Sequence, residues 1–334
     1  MIQIRNISNI LIVATILFAT QIIASTISTS KIKLTNGTDT TCITHANSEL
    51  SISVIPKLGG KIISIKDIDG FEFVSRSGKP YSLREYGGKF GDKEFDGIDE
   101  IFPTLSACKY PAAPWQEVEL PPHGELFSQP WNIVSTNNVI CMAVKGKALP
   151  YLFQRTITLK GSSVVLDYEV TNLSSNDIYY FYLFHPLLTG LTGTQLKLED
   201  DQLVKISYNY KEFLGKMGTE ANWGDLMIET NKVFKENMFK ENSGKYWKIF
   251  ATLPKSEVIL EYPNKKSISL EWEAEAQPKF AVWTSEGMSK LHHIAPEPTT
   301  SFEESLEDAY KNGNAKCIKA NSKVKWQTTL TIEN

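Results

Sequence analysis

Apolar and polar residues alternate along most of this chain, so the dominant period is two rather than 3.6. Leu50 to Ile55, LSISVI, shows the alternation cleanly, and KLGGKIISIKD continues from Lys57 with a turn marked by Gly59 and Gly60. WNIVST, NVICMAV, YLFQRTITL and SSVVLDYEVTN read as consecutive strands broken by Asn, Gly, Ser and Pro. IYYFYLFHP is aromatic on both faces, which predicts a central strand buried between two layers. KYWKIFATL, SEVILEY, SISLEWE, FAVWTSE and VKWQTTLTI complete the strand pattern. A helical pattern is confined to Ser301 to Lys311, SFEESLEDAYK, and part of Leu226 to Phe239. Many antiparallel strands without linker, repeat or low-complexity segment predict one large all-β sandwich.

The first residues follow a different rule. Arg5 supplies a positive start, Ile10 to Ala24 is almost wholly apolar, and the small residues Ser25 and Thr26 follow. That order predicts a secretory signal peptide over 1–24, a folded part over 25–334, and an exported protein, periplasmic or secreted. The apolar run is short for a membrane span, and an uncleaved anchor is the alternative. No cysteine follows the run, so a lipoprotein anchor is not expected, and no second hydrophobic segment is present.

Charge and cysteines narrow the picture only a little. The net charge is −3 with both signs mixed, which argues against a nucleic-acid partner and its basic stripe. Cys42, Cys108, Cys141 and Cys317 allow three pairings, and their spacing selects none. They read as free thiols or one or two staples, with no CxxC and no zinc spacing. Adjacent His292 and His293 would point to opposite faces of a strand, so they cannot share one metal ion from there. GGKFGDKEFDG, from Gly87, is a glycine-rich loop rather than a phosphate cradle, and GxSxG, Walker and HExxH motifs are absent. Sequons stand at Asn36 and Asn172.

Three stretches carry candidate chemistry. In PPHGELFSQPW, prolines, Gly124 and the aromatic anchor Trp131 hold His123 on a rigid, non-helical turn. In FYLFHP, Pro186 biases His185 to an extended strand end, where partial desolvation lowers its pKa from about 6.5. In IAPEPTT, Glu297 stands between two prolines at the end of an apolar strand. Alternation puts His293, Ala295 and Glu297 on one face, and a partly buried carboxylate is a credible general base.

The order of these stretches resembles the galactose mutarotase-like superfamily, the aldose 1-epimerases and their relatives. The resemblance runs through ELSISVIPKLGGKIISI, DGIDEIFP, the HGE turn, FHP and IAPEP, and covers nearly the whole chain after the leader. It implies a large antiparallel β-supersandwich with a sugar cleft across one sheet. It implies His185 as general acid, Glu297 as general base and His123 as a sugar-holding residue, interconverting α and β anomers of an aldose without a cofactor or a metal. The acid and base are expected on opposite sides of the sugar. Glu100, Lys89 and Trp283 are further candidates for substrate contact, by position and residue type.

The sequence also departs from the family pattern. HGEL stands where galactose mutarotases continue Gly-Gly and Gly-Phe, the upstream Asn-Arg pair is missing, and the sugar-binding aspartate has no clear match, with Asn231 near its place. Galactose specificity is therefore not carried over. The expected partner is a small-molecule carbohydrate. A non-catalytic carbohydrate-binding protein on the same fold, and an oligosaccharide lyase or hydrolase reusing the cleft, are the other readings. A paired-carboxylate glycosidase is disfavoured because Glu297 has no obvious second acid.

Overall fold

The computed structural model describes residues 25–88, 93–228, 232–287 and 291–333. The alternating stretches fold as strands, and these gather into two large sheets among the described residues. The larger has twelve strands, ordered Thr26–Lys33, Asp39–Ala46, Leu50–Ile55, Lys61–Asp67, Ile98–Ile101, Leu183–Pro186, His292–Thr299, Lys279–Glu286, Tyr246–Ala251, Leu203–Asn209 and Glu220–Asn222, with Leu188–Thr189 also paired to His292–Thr299. The smaller has eight, from Gln195–Lys197 through Glu257–Glu261, Ser267–Trp272, Lys323–Glu333, Ser163–Asn172, Tyr151–Lys160 and Ile140–Lys145 to Asn132–Ser135. Neighbouring strands run antiparallel; the His292–Thr299 and Lys279–Glu286 pair is one example. The expected large antiparallel sandwich is the observed one.

The two sheets face each other across a core of Ile52, Val54, Phe102, Phe153, Tyr168, Val282, Trp326 and Leu330. Phe102 contacts Phe153 from the opposite sheet at 5.6 Å between ring centroids. One buried ion pair crosses the same interface: Arg155 Nη1 lies 2.7 Å from Glu100 Oε1, both fully buried. Arg155 also donates to the Gly60 carbonyl.

Three elements differ from the pattern. IYYFYLFHP is not one strand. Ile178–Tyr180 pairs with Lys316–Ile318 in a separate ribbon, and Leu183–Pro186 joins the large sheet. Leu226 to Phe239 holds no α-helix. Met227–Ile228 and Lys232–Val233 pair as a short hairpin flanked by two 3₁₀ turns, each tied down by a buried aromatic, Trp223 or Phe234. Trp223 packs on Phe234 and Phe234 on Trp247, and this packing overrides the weak helical pattern. The third is the C-terminal helix, which starts late: it covers Leu306–Lys311, capped by Ser305, whose hydroxyl accepts from the Asp308 N–H at 3.0 Å. Among the described residues no helix is long and apolar enough to cross a membrane. Residues 1–24, expected to form a signal peptide, and Lys89 and Asn231 lie outside the described residues.

Candidate active site

Strand alternation divides the large sheet into a core face and an outer face. On Lys279–Glu286, Phe280 and Val282 enter the core while Ala281 and Trp283 face outward. Register then decides what joins them. Glu297 lies opposite Ala281 and Ala295 opposite Trp283. Lys248 lies opposite Trp283 on the other side, and Tyr208 opposite Lys248. His185 lies opposite Asp99. Five neighbouring strands thus present His185, Glu297, Trp283, Lys248 and Tyr208 to one side.

These side chains line a cavity of about 410 Å³, closed on its other walls by His123, Phe95, Leu105, Pro122 and Glu304. His185 Nε2 stands 3.3 Å from Glu297 Oε1. Lys248 Nζ stands 3.2 Å from Glu297 Oε2 and 3.0 Å from Glu304 Oε1. The His123 and His185 rings are 6.3 Å apart, edge to face. Trp283 lies nearly parallel to His185, with centroids 5.9 Å apart and planes at 24°. Sequence separation hides this grouping, which the sheet order creates.

His123 is aimed by its turn. It adopts a positive φ of 59°, Gly124 one of 67°, and the His123 N–H donates to the Leu105 carbonyl at 2.6 Å. A side chain at residue 124 would put its Cβ 2.1 Å from the Phe102 carbonyl oxygen, so glycine is required there. The next residue, Glu125, is a buried anchor rather than a reagent. It accepts from Tyr86 and Tyr151 hydroxyls at 2.8 and 3.1 Å and from the Lys147 and Ala148 N–H groups at 2.7 and 2.8 Å. Trp131 closes the run by donating its indole N–H to the Leu126 carbonyl at 3.1 Å.

Burial and neighbouring charge set the protonation states. Burial, with His123 and Lys248 nearby, holds His185 well below the ordinary imidazole range. His123 is pushed down to about 4, chiefly by burial. Burial raises Glu297, and the Lys248 ammonium opposes that rise. Burial also works against the charge on Lys248, but Glu297 and Glu304 outweigh it and keep the ammonium charged. The His185 imidazole is therefore neutral in the empty cleft, while burial and the Lys248 charge pull Glu297 in opposite directions.

Several expectations change at this point. Glu100 does not face the cleft. It lies on the core side of the same strand as Asp99, fully buried, and accepts from Arg155, Tyr168 and Tyr182. One residue of register separates it from the cleft face. His185 and Glu297, expected on opposite sides of a sugar, touch in the empty cavity. A second carboxylate is present after all, for Glu304 reaches the cavity from the extended segment before the helix. Lys248 bridges the two carboxylates and opposes the rise that burial imposes on Glu297, whereas the general acid of a glycosidase needs its pKa raised. All four cysteines are free thiols. Among the described residues no group of three or more His, Cys, Asp or Glu side chains is arranged to hold a metal ion. Lys248, Glu304, Tyr208 and Phe95 escaped the sequence reading.

No protein-family model matches the sequence, and no curated protein does. Solved structures do. A protein of Synechocystis sp. PCC 6803 superposes with a TM-score of 0.64 at 13% identity, over 92% of this chain and 96% of its own. A galactose mutarotase-related enzyme of Lactobacillus acidophilus gives 0.61 at 13% identity, over 92% and 98%. A galactose mutarotase-like protein of Clostridium acetobutylicum gives 0.62 at 16% identity, over 92% and 98%. The chain has the galactose mutarotase-like fold. Identities this low establish that fold alone, so the chemistry rests on the cavity itself. Within a galactose mutarotase-like sandwich, the cavity occupies the outer face of the large sheet, away from the core between the sheets.

Proposed function

We propose that the protein is an exported aldose 1-epimerase-like enzyme that interconverts the α and β anomers of a sugar. The observation that carries this reading is the contact between His185 and Glu297 inside a cavity of monosaccharide size. Ring opening removes a proton from the anomeric hydroxyl and delivers one to the ring oxygen, so the net proton change is zero. A coupled acid and base sharing a single proton meets that requirement. In the sugar complex the shared proton lies on His185, so ionised Glu297 accepts the anomeric proton while His185 gives its proton to the ring oxygen; re-closure on the other face reverses both transfers. His123 holds the sugar, and the apolar side of the ring packs on Trp283. The pair titrates as a unit, so the rate falls in acid when it gains a second proton and in alkali when it loses the shared one.

Polarimetry on freshly dissolved aldoses tests the proposal. The reading requires the purified protein to hasten the approach to the anomeric equilibrium of at least one of them. Sugar binding without acceleration would identify a carbohydrate-binding protein instead.

A further inference from the structure

Lys248 takes no part in the proton transfers just described, yet its ammonium is packed against the base. Its side chain is 5% exposed and bridges Glu297, 1% exposed, to Glu304, 41% exposed. Lys248 projects from a strand two places away from Glu297, across Lys279–Glu286. The residue opposite Glu297 on that intervening strand is Ala281, and its small side chain leaves room for the lysine stem to cross. Several titratable groups surround Glu297: His185 on the adjoining strand, His123 on its turn, Tyr208 beyond Lys248, Glu304 before the helix, and His293 on its own strand. Among the described residues, Lys248 is the lysine or arginine that reaches Glu297.

We infer that Lys248 is a positioning residue for this reaction. It pins Glu297 Oε2 so that Oε1 is presented to His185 and the sugar, and its charge, shared with Glu304, sets the pH range in which the pair works. An opposite charge at this distance typically lowers a carboxyl pKa by about 1–3 units. Removing the cation therefore favours protonation of the pair and moves the whole activity profile to higher pH. Removing Glu304 does the reverse, because a like charge is lost and Lys248 has Glu297 to itself. A lysine that only filled space would move neither profile.

The inference rests on the epimerase reading, but half of its test does not. Mutarotation is measured against pH for wild type, Lys248→Met, Lys248→Arg and Glu304→Gln. In parallel, the Glu297 carboxyl is titrated by ¹³C NMR with labelled glutamate and assigned with Glu297→Gln. Lys248→Met should shift both the profile and the carboxyl titration upward by about 1–3 pH units, and Lys248→Arg should restore most of the shift. Glu304→Gln, a change at a half-exposed side chain, should shift both downward and covers the case in which Lys248→Met fails to fold. Unmoved titrations in folded Lys248→Met, or in Glu304→Gln, overturn the inference. If wild type shows no mutarotation, the proposed function fails, while the carboxyl titration still decides what Lys248 does.

Discussion

Glu100→Gln should damage stability and leave the proposed sugar site intact. Glu100 and Arg155 are both 0% exposed and pair at 2.7 Å between the two sheets. Tyr168 and Tyr182 hydroxyls also donate to this carboxylate, at 2.9 and 2.7 Å. Glutamine keeps the shape and can still accept from the tyrosines, but it leaves a buried guanidinium without its counter-charge. Removing one partner of such a pair costs roughly 3–5 kcal/mol. At about 2–4 °C per kcal/mol for a chain somewhat smaller than this one, Tm should fall by roughly 6–20 °C. The loss should reach the Gly59–Gly60 turn, because Arg155 donates to the Gly60 carbonyl and its guanidinium lies 5.1 Å from the Trp131 ring centre. Thermal unfolding followed by circular dichroism measures the effect, with sugar affinity taken below the transition. The double variant Glu100→Leu with Arg155→Met should recover much of the stability, since apolar replacement of a buried pair is often neutral or favourable. A Glu100→Gln protein that melts like wild type but binds sugar more weakly would refute the assignment of Glu100 to the core face.

Trp283→Ala should raise KM about tenfold, equivalent to about 1.4 kcal/mol, with a smaller effect on kcat, because the role proposed for the indole is to pack against the sugar and not to move the proton. Steady-state polarimetry separates the two; a fall in kcat with KM unchanged contradicts the platform role. His293 gives an acid signature. It is fully buried against Phe95 and Trp283, neither ring nitrogen has a hydrogen-bond partner, and burial pushes its pKa down to about 3. The folded form thus binds fewer protons than the unfolded one below pH 6.5, and stability is lost as pH falls from there. Between pH 6.5 and 4.5 this one group should remove about 2 kcal/mol. Urea unfolding at both pH values should therefore show wild type losing about that much relative to His293→Leu, and an equal loss in both proteins contradicts the account.

Period-two alternation carried most of the architecture, because half-buried antiparallel strands leave that trace. The local settings of His123, His185 and Glu297 were equally readable, for prolines and a mandatory glycine shape them directly. Faces were harder. Glu100 and Asp99 are neighbours on one strand, and a one-residue step separates a core ion pair from the cleft. Lys248 gave no signal because Trp247, Ile249 and Ala251 fill the core, so their alternation makes residue 248 look like an ordinary surface lysine. Only the strand order, with Lys248 two places from Glu297, turns that solvent-like face into a cavity wall. Glu304 was hidden by a helical pattern starting at Ser301, which the Ser305 cap delays to Leu306. The aromatic run from Ile178 reads as a single strand, yet it divides because its two halves pair with different partners.

The central claim is that Glu297, coupled to His185, moves the anomeric proton. Mutarotation by Glu297→Gln, with folding verified by circular dichroism, tests it most directly. Glutamine keeps the shape of the side chain, leaves Lys248 paired with Glu304, and removes the basicity. The account predicts a folded protein that still binds the sugar but turns it over about 10²–10⁴-fold more slowly than wild type. A folded Glu297→Gln protein with undiminished mutarotation would contradict it.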